Sequence, residues 1–402
     1  MNEEKNINQL PKDWKWVKLG EVCDVQTGKY DANHAKAAGK YRFYTCAFEY
    51  MYCDTNRFKG ESLILPGNGA NVGEVFYYNG EFDAYQRTYV LNEIKTNPKY
   101  LYYHLLCNWR SKNQDKQFGS ATNYIRMANF TDYELPIPPK VIQDVIVSKI
   151  EELLSELDKG IENLSTAQQQ MKIYRQSVLK WAFEGKLTNE NVKDGELPKG
   201  WKMSNMGDVI EKPKYGSSKK CEYETKGIGV LRIPNIVKGV VDSNDLKFAK
   251  FDEQEIETYS LKEGDILTIR SNGSVDIVGK CALITKKDEG FLYAGYLILL
   301  RPKQKLIVPK YLINILSSIN LRNQIEGKAK STSGVNNINS EELAGLLISL
   351  PPIEEQHTVI QEIESRLSVA DKMEESIMQS LQQAEALRQS ILKKAFEGRL
   401  TT

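Results

Sequence analysis

The sequence predicts an α+β protein with two mixed α/β domains in tandem. Two long α-helices separate and join them and form an antiparallel coiled coil, so that the whole is an internal repeat. Three observations carry this prediction. Short words recur in the same order far apart, each half ends in a proline-free stretch with apolar residues at steps of three and four, and the charge on those two stretches is arranged in opposing halves.

The repeat comes first. LPKDWKW at residues 10–16 returns as LPKGWKM at 197–203, an offset of 187. GNGANVG at 67–73 is answered by SNGSVDIVG at 271–279, PKYL at 98–101 by PKYL at 309–312, and the Pro-Pro pair at 138 by the pair at 351. SVLKWAFEGKLT at 177–188 returns as SILKKAFEGRLT at 390–401, by which point the offset is 213. The offset grows inside the second globular part and then holds, which describes a duplicated unit with a variable head and a fixed tail. The expected boundaries are a first head over 1–139, a first long helix over 140–188, a second head over 189–352 and a second long helix over 353–402.

The heads read as mixed α/β because segments such as EVFYY, RTYVLNEI, DILTIR and YLILL are short, β-branched or aromatic, and bounded by Gly, Asn or Pro. The tails differ. Apolar residues at Ile142, Ile146, Ile150, Leu153, Leu157, Ile161 and Leu164 form a coiled-coil seam, repeated by Ile360, Ile363, Leu367, Ala370, Ile377 and Leu381. A helix of this kind is about 60–65 Å long at 1.5 Å per residue and needs a helical partner. Residues 140–162 carry three Lys/Arg against six Asp/Glu, and 163–188 carry four against one. In the second tail, 353–375 carry two against seven and 376–402 carry four against two. Antiparallel alignment sets each acidic half beside a basic one.

Composition narrows the function. The chain has 402 residues, is 41% hydrophobic and 27% charged, and has a net charge of +1, so any grip on nucleic acid has to be local. The opening residues lack the layout of a secretory leader, no apolar run approaches a membrane span, and six scattered cysteines without a C-x-x-C pair read as reduced thiols. A cytoplasmic protein without a membrane segment is expected.

Catalytic readings fail on context. The Gly-rich run at 67–73 and its counterpart at 273–279 lead into strand-like EVFYY and KCALI, whereas a dinucleotide fingerprint opens a helix. Three distant histidines, His34, His104 and His357, have no Cys or acidic companions at metal-ligand spacing. No methyltransferase base-gripping run and no nuclease acid cluster is present. The chain reads as a non-enzyme that binds no cofactor and no metal itself.

The head loops carry DNA-reading chemistry instead. Arg pairs with guanine, Asn and Gln with adenine, and Ser, Thr, Lys and turn amides with phosphate. In the first head the candidates are Lys29, Asn68, Asn71, Gln86, Arg87, Asn123, Tyr124 and Arg126, with 120–122 alongside. In the second they are Lys214, Tyr215, Ser217, Ser218, Lys219, Lys220, Arg270, Ser271, Asn272, Ser274 and Asn336, with 330–333 alongside. Lys29 and Tyr30 pair loosely with Lys214 and Tyr215. Matching loops with different side chains suggest one frame reading two targets.

Head, long helix, head, long helix, with LPKxW before each head and AFEGKLT or AFEGRLT after each helix, resembles the specificity subunit of Type I restriction–modification systems over essentially the whole chain. The resemblance implies that each head is a target recognition domain for one half of a split, asymmetric double-stranded DNA site. It also implies that the paired helices set the spacing and dock two copies of an adenine-N6 methyltransferase subunit, with restriction and translocase subunits joining them. S-adenosylmethionine, ATP and Mg are then expected on those partners. Trp181, Phe183 and Phe396, in the repeated helix ends, are the expected docking residues. The heads' small positive excess, +2 over 11–139 and +3 over 189–352, predicts weak DNA affinity for the chain alone. A scaffold with two peptide- or ligand-binding heads also accounts for the repeat, but not for arginines and lysines in the turn loops.

Overall fold

The computed structural model describes residues 10, 12–114, 117–118, 123–189, 191–329 and 334–400. It divides into two compact units, one formed by residues 1–165 with 378–402 and the other by 166–377.

In the first unit a six-stranded sheet takes the order Asp24–Thr27, Thr88–Asn92, Phe58–Pro66, Phe76–Ala84, Tyr41–Tyr44, Met51–Cys53. Its pairs are antiparallel except Tyr41–Tyr44 beside Phe76–Ala84. The helix Pro98–Asn113 starts where Asn97 caps it, the side-chain oxygen accepting from the Lys99 and Tyr100 amides at 2.9 and 3.1 Å. Such a cap satisfies donors that a helix start leaves free. Leu101, Leu105 and Trp109 of this helix, with Leu63, Leu65 and Leu91 of the sheet, form the core. A ribbon of Lys15–Lys18 with Glu134–Ile137 closes the head beside the first long helix.

The second unit repeats the plan with more pieces. One sheet runs Lys214–Tyr215, Leu297–Leu300, Ile266–Ile269, Cys281–Leu283, and another runs Lys247–Ala249, Ile228–Leu231, Leu292–Tyr293. A ribbon of Lys202–Asn205 with Leu347–Leu350 matches that of the first head. The equivalence is visible atom by atom. Gly28 donates to the Thr88 carbonyl at 3.1 Å and Gly216 to that of Leu297 at 3.2 Å. A Cβ on Gly28 would strike the Ala84 and Tyr85 carbonyls, and one on Gly216 those of Tyr293 and Ala294. Both glycines exist because two backbones meet there. This register corrects the loose pairing drawn from sequence. Thr27 pairs with Tyr89 and Tyr215 with Ile298, so Tyr215 stands where the first head has Thr27, and Lys29 faces the place of Ser217.

The long helices are Lys140–Phe183 and Ile353–Phe396, 44 residues each. Within the first unit, Ile146, Val147, Ile150 and Leu154 pack on Ile391, Leu392 and Ala395. Within the second, Leu179, Ala182 and Phe183 share a core with Val359, Ile360 and Ile363. The start of each helix therefore lies against the end of the other, and the pairing is antiparallel. Asp158 binds Arg388 in the first unit, and Arg175 reaches Asp371 and Glu374 in the second, with 2.9 Å to Glu374. These are the acid-to-base pairs the charge pattern required. Being partly exposed they contribute at most about 1 kcal/mol each, so they select direction more than they hold the rod together.

A duplicated glutamine ties each long helix to its head. Gln143 accepts from the Asn97 amide at 2.8 Å and donates to the Pro138 carbonyl at 2.8 Å. Gln356 accepts from the Val308 amide at 2.8 Å and donates to the Leu306 and Pro351 carbonyls at 3.0 Å each. Both side chains are buried, and each holds the amide just before the proline that opens the head's helix.

Candidate nucleic-acid interface

The three loop groups singled out in the first head form one surface. Gly67 donates to the Arg87 carbonyl, Ile125 to that of Gly67 and Gly69 to that of Asn123, all at 2.8–3.0 Å. Gln86 is joined to Tyr30 by a backbone bond of 2.9 Å. Lys29, Gln86, Arg87, Asn123 and Arg126 are exposed on it, while Asn68 and Tyr124 face each other across an isolated bridge and are half-buried. Asn71 serves the loop instead, its amide donating to the Cys46 carbonyl at 2.8 Å. That bond also brings in residues 45–52, which the sequence did not single out. Residues 120–122 lie outside the described residues.

The second head assembles the matching surface. Ser271 and Asn272 pair with Asn337 and Asn336, Ile338 donates to the Arg270 carbonyl, and Arg270 donates to that of Tyr296. Lys214, Tyr215 and Ser218 are exposed and Arg270 is half-buried. Several candidates prove to shape the loops. Ser217 is buried and accepts from the Lys219 amide at 3.1 Å, Asn272 accepts from the Ser274 amide at 3.0 Å, and Asn336 donates to the Gly273 carbonyl at 3.0 Å. Ser274 turns to Asp276. Lys219 and Lys220 are held by Glu255 and Glu222, at 2.6 and 2.7 Å. Residues 330–333 lie outside the described residues.

Arginine pairing separates structural cations from displayed ones. Eight of the thirteen arginines have carboxylate partners. The other five, Arg42, Arg57, Arg87, Arg126 and Arg270, have none among the described residues, and all five lie in the heads. Four of them rest on aromatic rings. Arg42 lies between Tyr50 and Tyr78 at 4.2 and 4.4 Å from the ring centroids. Arg57 is 5.3 Å from Phe58, Arg126 is 4.1 Å from Phe118, and Arg270 is 4.7 Å from Tyr215. A ring holds a guanidinium in place without cancelling its charge, which a carboxylate would do. Sequence reading found Arg87, Arg126 and Arg270 because they sit in Gly/Asn loops. It missed Arg42 and Arg57 beside the strands, although the Tyr-Arg-Phe-Tyr and Arg-Phe words held the signal.

The helix ends behave differently from expectation. Trp181 is 44% exposed, but Phe183 is only 5% exposed and stands edge-on to Tyr311 of the second head, centroids 5.2 Å apart. Phe396 is half-buried against Tyr100 and His104, at 5.3 and 5.0 Å. The two phenylalanines seat each helix end on a head. A surface role is left to Trp181.

Around Phe396, His104 is buried with its Nδ1 unpartnered, and burial pushes its pKa down to about 3, with Lys112 adding to the shift. Its Nε2 lies 3.3 Å from the Tyr133 hydroxyl. Among the described residues no group of His, Cys, Asp or Glu could hold a metal, and no helix is long and apolar enough to cross a membrane.

Two heads of one frame, each displaying cations held by aromatic rings, define a tandem recognition protein. Comparison with known proteins makes the class specific. The family described as "Type I restriction modification DNA specificity domain" matches twice, over residues 11–165 and 198–385. The specificity subunit of the Type I restriction enzyme EcoKI of Escherichia coli strain K12 is 33% identical over 407 residues, covering 99% of this chain and 85% of the relative. That of EcoDI, also from Escherichia coli, is 28% identical over 98% of this chain and 90% of the relative. Among solved structures, a chain from a type I R-M system superposes with a TM-score of 0.73 at 17% identity, over 97% of this chain and 99% of that one. The HsdS subunit from Thermoanaerobacter tengcongensis gives 0.64 at 17% identity, over 99% and 100%. The chain belongs to the Type I restriction–modification specificity-subunit family.

Proposed function

We propose that this chain recognises a bipartite, asymmetric site on double-stranded DNA, one half with each head, and performs no catalysis itself. The heads, 1–139 and 189–352, are the two target recognition domains, and the long helices, 140–188 and 353–402, space them. The observation that carries this reading is the set of five arginines without carboxylate partners among the described residues, all in the heads and four of them held by rings. Such cations are preorganised for guanine edges and phosphates. The displayed side chains differ between heads, Gln86 and Arg87 in one against Gly295 and Tyr296 at the corresponding bend of the other, so the two half-sites differ.

In the same reading the chain docks two copies of an adenine-N6 methyltransferase subunit, and through them the restriction and translocase subunits, in the cytoplasm. S-adenosylmethionine, ATP and Mg belong to those partners. Exposed Trp181 at the end of the first long helix fits a docking role, and Phe183 and Phe396 act by fixing the helix ends.

Methylome sequencing of a host carrying this chain with its neighbouring methyltransferase tests the proposal. One split, non-palindromic adenine motif is expected, and it should vanish when this chain is deleted. A palindromic motif, or methylation independent of the chain, would refute the reading and favour a scaffold.

A further inference from the structure

The register between the heads identifies one place where they diverge chemically. Tyr44 and Leu231 stand in the same position. Each pairs with a parallel strand, Tyr44 with Ala84 and Leu231 with Tyr293, and each carbonyl accepts the next amide across, at 2.8 and 2.9 Å. The residue after each is therefore equivalent, Thr45 in the first head and Arg232 in the second. On the neighbouring strand Phe43 pairs with Met51 and Val230 with Lys247, so Lys247 replaces Met51. At this place the first head exposes Phe48, Tyr50, Met51 and Tyr52. The second opens a cleft of about 570 Å³.

Four cations line that cleft, Lys219, Arg232, Lys247 and Arg270, and no carboxylate does. Lys219 is paired with Glu255, and Arg232 shares Asp245 at 3.3 Å. Among the described residues Lys247 and Arg270 make no salt bridge; Lys247 acts on the Glu222 carboxylate only through space, and Glu222 is itself paired with Lys220 at 2.7 Å. The ring of Tyr223 carries both Lys247, at 4.8 Å, and Arg232, at 5.9 Å. The Arg232 Nε is buried and makes no hydrogen bond. A desolvated donor without an acceptor is unfavourable, and converging cations repel one another. An anion removes both costs at once.

We propose that this cleft is a phosphate seat in which Arg232 and Lys247 hold the oxygens of one phosphate group. Ser218 and Ser271 add hydroxyls to the same lining. The seat belongs to the second head alone, because Thr45 and Met51 occupy the equivalent places in the first. Its occupant is either a backbone phosphate of the second half-site, which rests on the DNA reading above, or free phosphate.

The test uses the full chain purified with its co-expressed partners, as wild type, Lys247→Met, Arg232→Gln and, as control, Lys287→Met. Retained melting temperature establishes that each variant is folded. Measured against salt on a cognate duplex, each seat variant should lower the slope of log K against log salt by about one and leave the methylated motif unchanged. In parallel, inorganic phosphate should stabilise the wild type beyond chloride of equal ionic strength, and neither seat variant should respond. A reduced slope assigns the seat to the DNA backbone. An unchanged slope with the phosphate response lost in both variants assigns it to free phosphate. Variants matching the control in both arms overturn the seat. If the wild type binds no duplex, the DNA reading fails separately and the phosphate arm alone decides.

Discussion

Replacing Gln356 with leucine keeps the volume of the side chain and deletes its three hydrogen bonds. The Val308 amide loses its acceptor at 2.8 Å and the Pro351 carbonyl its donor at 3.0 Å. Leu306 is 46% exposed, so its carbonyl can turn to water. Two backbone groups are left unsatisfied in a site where Gln356 is 0% exposed. At about 1–3 kcal/mol for each, less about 1 kcal/mol regained from the apolar side chain, the loss is about 1–5 kcal/mol. For a unit of this size that lowers the melting temperature by roughly 2–20 °C. Circular dichroism during thermal unfolding measures it, and hydrogen exchange should show the Val308 amide losing protection first. Gln361→Leu, on the exposed side of the same helix, should change stability by less than about 0.5 kcal/mol. If Gln356→Leu behaves like that control, the claim that this glutamine ties helix to head is wrong.

Three further outcomes are expected. Gly216→Ala and Gly28→Ala place a Cβ against backbone carbonyls and should yield insoluble or protease-sensitive chain, whereas Gly290→Ala, with open space around it, should be neutral in limited proteolysis. His104 stays neutral because its folded pKa is pushed down to about 3. Its contribution to stability is therefore present above about pH 6.5 and is lost as pH falls toward 3, at up to about 1.4 kcal/mol per pH unit. Unfolding followed between pH 7.5 and 5 should show this loss, reduced in His104→Gln. Arg270→Gln should weaken cognate binding by roughly ten- to a hundredfold and relax the second half of the methylated motif only. A change in the first half would contradict the assignment of heads to half-sites.

Much of the architecture was legible because it repeats. Two copies of each word revealed the duplication, and the opposing charge halves of the long helices gave their direction before Asp158 and Arg388 were seen together. The loops around Asn68, Gln86 and Asn123 were legible as candidates because Gly and Asn mark turns, and backbone bonds bring them together. What was hidden depended on partners distant in the chain. The buried Gln143 and Gln356 stand inside PPKVIQ and PPIEEQ, and only the amides of Asn97 and Val308 reveal their purpose. Phe183 looked like a docking residue because its word repeats, yet a repeated word serves an internal seat equally well. Arg232 and Lys247 lay on ordinary-looking strands, and their company around Tyr223 follows from strand register, which a single sequence does not specify.

Holding arginines with rings has one more consequence. The second head contains no histidine, since His34 and His104 lie before it and His357 after it, and its displayed cations are Arg and Lys. In the DNA-binding reading proposed above, a rise in ionic strength therefore loosens this head's grip steeply.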